Sequence, residues 1–138
     1  MKKINMVDLN GQYRKIRWQV NREIKKVINT SSFVNGPIVK EFQNNLQEYL
    51  GVKHVIPCAN GTDALQIALM ALNLERGDEV ITTNFSFAST IEVILLLGLK
   101  PVVIDIDPRT FNINPDLIKH KISNKTKAII PVHLFGQS

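Results

Sequence analysis

From residue 54 to the end of the chain, short apolar runs alternate with segments of helical period, and no other feature restricts the fold as much. Residues 54–58, 79–82, 101–105 and 127–132 read as strands, with helices over 63–74, 88–97 and 115–122 between them. Strands alternating with helices imply right-handed crossovers and a mostly parallel sheet flanked by helices, an α/β fold. Val102-Val103-Ile104 and Ala128-Ile129-Ile130 are unbroken apolar runs, the pattern of strands covered on both faces. The helix from Asp63 is apolar around nearly its whole circumference, through Ala64, Leu65, Ile67, Ala68, Leu69, Met70, Ala71 and Leu72. Such a helix must be buried on every side. So short a chain supplies few layers to do it, which implies a second subunit or more chain.

Ahead of the alternation, Tyr13, Ile16, Val20, Ile24 and Val27 recur at helical spacing. The net charge of +5 is gathered here, in Lys2, Lys3, Arg14, Lys15, Arg17, Arg22, Lys25 and Lys26, opposed by Asp8 and Glu23. A basic face of this kind suits an acidic partner, but it equally suits the solvated side of an amphipathic helix. The second is expected, without nucleic-acid binding. A turn-rich loop, Ser31 to Pro37, leads to a helix with Val39, Phe42, Leu46 and Leu50 on one stripe and Gly51 as its left-handed cap.

Several classes are excluded by composition. A single cysteine, Cys58, makes no internal disulfide, and with His54, His120 and His133 it gives no metal-ligand spacing. Met1-Lys2-Lys3-Ile4-Asn5 is followed by no apolar stretch, so no signal peptide is expected. The run from Val93 to Leu97 is far too short to cross a bilayer. A cytoplasmic protein is the expectation.

In an open parallel sheet, ligands bind beyond the carboxyl ends of the strands. The residues there are Ala59-Asn60-Gly61-Thr62, Thr83-Asn84-Phe85-Ser86-Phe87, Asp105-Ile106-Asp107 and His133-Leu134-Phe135-Gly136-Gln137. Asn60-Gly61-Thr62 opens a helix, so its N–H groups are unpaired and the positive dipole end faces outward, as in a phosphate cradle. Asn60 or Thr62 acting only as a helix cap fits the same residues. Asp63 adds negative charge in the first turn and would have to point away from a phosphate. The glycines form no G-x-G-x-x-G, and there is no P-loop lysine. Phe85 and Phe87 have the spacing of one strand face and suit either a core or the cover of a flat ring. His133 suits a proton shuttle or a hydrogen-bonded structural role.

Taken in order, these stretches resemble the DegT/DnrJ/EryC1/StrS family of sugar aminotransferases, pyridoxal-phosphate enzymes of fold type I. The resemblance rests on Phe33-Val34-Asn35-Gly36-Pro37, Asn60-Gly61-Thr62-Asp63-Ala64-Leu65, Gly77-Asp78-Glu79-Val80-Ile81 and Phe85-Ser86-Phe87-Ala88-Ser89-Thr90. It continues through Pro101 to Asp107 and Thr126 to Gln137, with Phe135 where the family usually carries Tyr. It implies that Gly61 and Thr62 donate to the phosphate of pyridoxal 5'-phosphate and that Phe87 stacks on its ring. It also implies transfer of an amino group from glutamate to a nucleotide-linked keto-deoxysugar, in a homodimer without metal, nucleic acid or membrane. Residues 1–36 would be an N-terminal helix and substrate-side loop, and 37–138 the first part of the cofactor-binding large domain.

In the family the Schiff-base lysine and the carboxylate facing the pyridine nitrogen lie downstream of the Pro131-to-Gln137 stretch. Lys100, Lys119, Lys121, Lys125 and Lys127 are not in the family's lysine motif, so no catalytic residue is assigned here. The resemblance thus implies a truncated aminotransferase, inactive alone. A sugar dehydratase of the same fold, with His in place of the lysine, and a non-catalytic partner module are the alternatives. It further implies that strand 54–58 pairs with a late strand of the large domain, leaving the isolated chain marginal, oligomeric or prone to aggregate.

Overall fold

The computed structural model describes residues 6–138. Met1 to Asn5, on which the signal-peptide expectation rests, and with them Lys2 and Lys3 of the basic end, lie outside the described residues. The chain forms two compact units, Met1–Pro57 and Cys58–Ser138.

The first unit holds α1 (Leu9–Thr30) and α2 (Pro37–Leu50). The Asp8 carboxylate caps α1 by accepting from the Gly11 N–H at 2.9 Å. Pro37 opens α2 where its missing N–H costs nothing. Gly51 ends it at φ +64°, with the Gly51 and Val52 amides returning to the carbonyls of Glu48 and Gln47. Neither helix has a buried residue, and Tyr13 and Ile16 of the expected apolar stripe are exposed.

Residues 54–58 are not a strand, contrary to expectation. A strand exists through its ladder, and no strand pairs with this segment among the described residues. Side chains of α2 take its neighbouring carbonyls instead: Gln43 Nε2 donates to Val55 O at 2.8 Å, and Gln47 Nε2 to Lys53 O.

The second unit runs α3 (Gly61–Ala71), β1 (Glu79–Thr83), α4 (Ser89–Leu96), β2 (Lys100–Ile104), α5 (Pro115–Lys121) and β3 (Thr126–Ile129). The sheet is parallel, in the order β2-β1-β3. Successive β1 residues point to opposite faces, and two cores follow. Val80 packs with Leu69, Val93, Ile94 and Leu99, flanked by Ala128 and Ile130 of the β3 edge. Ile81 packs with Ile104 and Ile113, flanked by Val102 and Ile118.

Only β1 is covered throughout. Val103 of β2 and Ile129 of β3, read as doubly covered, are exposed because both strands are edges of this sheet. Likewise α3 buries only Leu69, and Met70 is 56% exposed, so its other apolar sides stay uncovered by this chain.

The central strand is also the most polar, and every polar side chain on it has a partner. Thr82 Oγ1 donates to Ile130 O at 3.0 Å, and Thr83 Oγ1 accepts from Phe85 N at 3.1 Å. Glu79 bonds Lys100 Nζ at 2.9 Å and Ser123 Oγ at 2.7 Å. On its β3 side the register slips at this point, Glu79 facing Thr126 and Val80 facing Ala128.

Candidate functional site

The connections fix which helix ends meet at the carboxyl edge of the sheet. Helix α3 feeds β1 through residues 72–78, and Leu69 in its last turn packs beside Val80 and Leu99 at the amino edge. Its first turn therefore lies toward the opposite edge. Helix α4 leaves the carboxyl end of β1 through residues 84–88 and returns to the amino end of β2, so its first turn is there too. Gly61 and Thr62 stand at the first of these turns and Phe87 immediately before the second. His54 to Cys58, where the first of the ligand-bearing turns was expected to follow a strand, contributes no strand end.

Asn60 is the N-cap of α3, with extended backbone at φ −162°, ψ 176°. Its Oδ1 accepts from Asp63 N at 3.0 Å, and its Nδ2 donates to Asp63 Oδ2 at 3.1 Å. One carboxamide thus occupies the third helical amide and ties down the only carboxylate in the first turn. The carbonyl of Asn60 receives the first helical bond, from Ala64 N at 3.1 Å. The amides of Gly61 and Thr62 precede that bond and find no acceptor among the described residues. A Cβ built on Gly61 would meet nothing within 4 Å, so the approach is open. Two free amides on a helix dipole, an open approach and a nearby threonine hydroxyl fit the phosphate of a bound cofactor.

Phe87 is 75% exposed, with Ser86 Oγ donating to its carbonyl at 3.0 Å. Phe85 does not share a strand face with it, since β1 ends at Thr83. Its ring instead meets Phe111 at 5.9 Å, nearly parallel, and Phe135 edge-on at 6.4 Å. Phe111 and Phe135 lie 5.4 Å apart at 86°. Nothing in the local sequence around Phe111 marks it; the one signal is an aromatic ring in each segment that follows a strand. Phe111 tips an excursion after β2 closed by an antiparallel bridge between Ile106 and Ile113. There the Arg109 side chain and backbone N–H hold the Asp107 carboxyl below its ordinary value. His133 is exposed, its carbonyl accepting from Gly136 N at 2.9 Å, and its side chain bonds nothing among the described residues.

On α1, Trp18 stands 80% exposed beside Arg22 and Lys25, an aromatic within the basic face. Part of that charge is spent locally, Arg22 and Lys26 both pairing with Glu23. No group of His, Cys, Asp or Glu among the described residues is placed to hold a metal, and no described helix is long and apolar enough to cross a membrane.

A parallel α/β sheet with an open helix N-terminus and an exposed aromatic at its carboxyl edge has the arrangement of cofactor- and nucleotide-binding domains. The model of the DegT/DnrJ/EryC1/StrS aminotransferase family matches residues 14–138, and the chain belongs to that family. It is 47% identical over 134 residues to the UDP-2-acetamido-2-deoxy-3-oxo-D-glucuronate aminotransferase of Pseudomonas aeruginosa, covering 97% of this chain and 37% of that protein. Among solved structures, NtdA of Bacillus subtilis with bound cofactor PMP superposes with a TM-score of 0.93 at 36% identity, over all of this chain and 32% of that one. The GDP-4-keto-6-deoxy-D-mannose-3-dehydratase of E. coli with bound hydrated PLP gives a TM-score of 0.78 at 29% identity, over 84% of this chain and 31% of that one. The chain therefore spans about a third of the length of these relatives.

Proposed function

We propose that residues 58–138 supply the phosphate grip and ring cover of a pyridoxal-phosphate site in an aminotransferase acting on a nucleotide-linked keto-deoxysugar, with glutamate as amino donor. Gly61 and Thr62 would hold the phosphate through their backbone N–H groups, with the Thr62 hydroxyl as a third donor. Phe87 would cover the ring and keep water from it. When bound, the cofactor supplies an electron sink for the amino transfer. No lysine of this chain is assigned the covalent attachment to it. The protein in this reading is a cytoplasmic homodimer, with residues 1–36 on the substrate side and 37–138 opening the cofactor domain.

The observation that carries this reading is the pair of unpaired amides at the start of α3, beside a carboxylate already bound to Asn60. The aminotransferase is preferred to the dehydratase because the aminotransferase relative shares 47% of aligned residues and the dehydratase structure 29%. The test is phosphorus NMR of pyridoxine 5'-phosphate titrated with the chain, a probe whose lack of an aldehyde prevents condensation with surface lysines. A saturable shift of the probe's phosphorus signal, reversed by excess inorganic phosphate, supports the site. No shift at millimolar probe refutes it. Product analysis with a sugar nucleotide and glutamate then separates the activities, an amino sugar marking the transferase and a further deoxygenated keto sugar the dehydratase.

A further inference from the structure

Phe111 holds a backbone conformation its side chain disfavours. Its φ is +60°, in the left-handed region that glycine and asparagine enter most readily. Asparagine is the next residue, Asn112, so a chain that needed only the turn had a better residue at hand. What phenylalanine adds is the ring. That ring completes a trio drawn from the three segments that follow the three strands: Phe85 after β1, Phe111 after β2 and Phe135 after β3. A second tie joins two of the same segments, Asn112 Nδ2 donating to Gln137 O at 3.0 Å. The Phe111 N–H is itself committed, to Asp107 O at 2.8 Å. Phe85 is anchored below by its N–H on the buried Thr83 hydroxyl.

Strain kept at a loop tip is a pointer to function when the surroundings enforce it. We infer that Phe111 is a positioning residue: its strained placement locks the three carboxyl-edge loops together through Phe85 and Phe135, and so fixes the segment that presents Phe87. Phe85 is two residues from Phe87, and the stretch between them is held otherwise only by local bonds. The loop-ordering half stands on the ring geometry alone. The ligand half rests on the proposed cofactor site.

The test separates ring from turn. Phe111→Asn keeps the left-handed turn and removes the ring, whereas Phe111→Tyr keeps the ring. Hydrogen exchange read by mass spectrometry on residues 84–88 and 133–137 should speed up about fivefold or more in Phe111→Asn, with β1 unchanged, and stay at the wild-type rate in Phe111→Tyr. If Phe111→Asn loosens β1 as well, Phe135→Ala decides, because that ring is 68% exposed and its loss opens no buried cavity. Unchanged loop exchange in the deciding variant overturns the inference. Pyridoxine 5'-phosphate binding should weaken about fivefold in Phe111→Asn and recover in Phe111→Tyr. Faster loops with unchanged binding would leave the trio as packing alone and overturn the positioning role. A wild-type chain that binds no pyridoxine phosphate refutes the cofactor site, while the exchange rates still judge the three rings.

Discussion

At the scale of single residues, the start of α3 separates stability from binding. Nothing lies within 4 Å of a Cβ at Gly61, and alanine is a better helix former by up to about 1 kcal/mol. Gly61→Ala should therefore leave the urea midpoint unchanged or raise it. Side chains of a first helical turn lean toward the N-terminus, so the added methyl narrows the approach to the two amides. Pyridoxine phosphate affinity should fall severalfold, and an unchanged affinity would place the anion elsewhere. Asn60 is the complementary case. Asn60→Asp keeps an acceptor for the Asp63 N–H but exchanges the donor on Asp63 Oδ2 for a second carboxylate. The helix cap should survive by urea titration while phosphate binding is lost. Asn60→Ala should cost about 1 kcal/mol of stability.

At the scale of elements, β1 has the most polar composition of the three strands and the most buried position. Its side chains tie the sheet at both ends. At the carboxyl end Thr82 bonds the Ile130 carbonyl, and Thr82→Val should cost about 1 kcal/mol by thermal unfolding, since it leaves that acceptor unpaired. At the amino end Glu79 joins β2 through Lys100 and the turn before β3 through Ser123, where the β3 register slips. The Ser123 hydroxyl, then the Lys100 ammonium, hold the Glu79 carboxyl below its ordinary value. The fold thus favours the ionised form. Its contribution is complete above the unfolded carboxyl's pKa, and it is lost as pH falls through the lowered folded value. Glu79→Gln should lower the urea midpoint at neutral pH and flatten the acid limb of the midpoint-against-pH curve. A mutant curve parallel to wild type would show that Glu79 does not set this limb.

At the scale of the whole chain, apolar surface remains where a helix was expected to be buried. Ile67 and Met70 of α3, Leu72 at its C-cap, and Leu95 and Leu96 of α4 are exposed. Unpaired segment 54–58 adds exposed Ile56. Patches of this kind drive association. Sedimentation of the 138-residue chain should show concentration-dependent oligomers. Ile67→Lys with Met70→Lys should shift that equilibrium toward monomer without lowering the urea midpoint. A wild-type chain that stays monomeric at high concentration would show that these faces do not self-associate.

The alternation of apolar runs and helical periods determined the α/β class and the positions of α3, α4, α5 and all three sheet strands, as the apolar stripe between Pro37 and Gly51 did for α2, because period and turn residues are local properties. The same locality made Asn60-Gly61-Thr62 legible as a helix start. Burial was not legible. Val102-Val103-Ile104 and Glu79-Val80-Ile81 differ in composition in the opposite sense to their cover, because cover depends on which strand has neighbours on both sides. Segment 54–58 had a strand's composition and no ladder to join. The trio of Phe85, Phe111 and Phe135 spans 51 residues of chain, and no local pattern announces that three separate loops bring their rings within 6.4 Å. Pairing and convergence are relations between distant segments, and only the folded chain decides them.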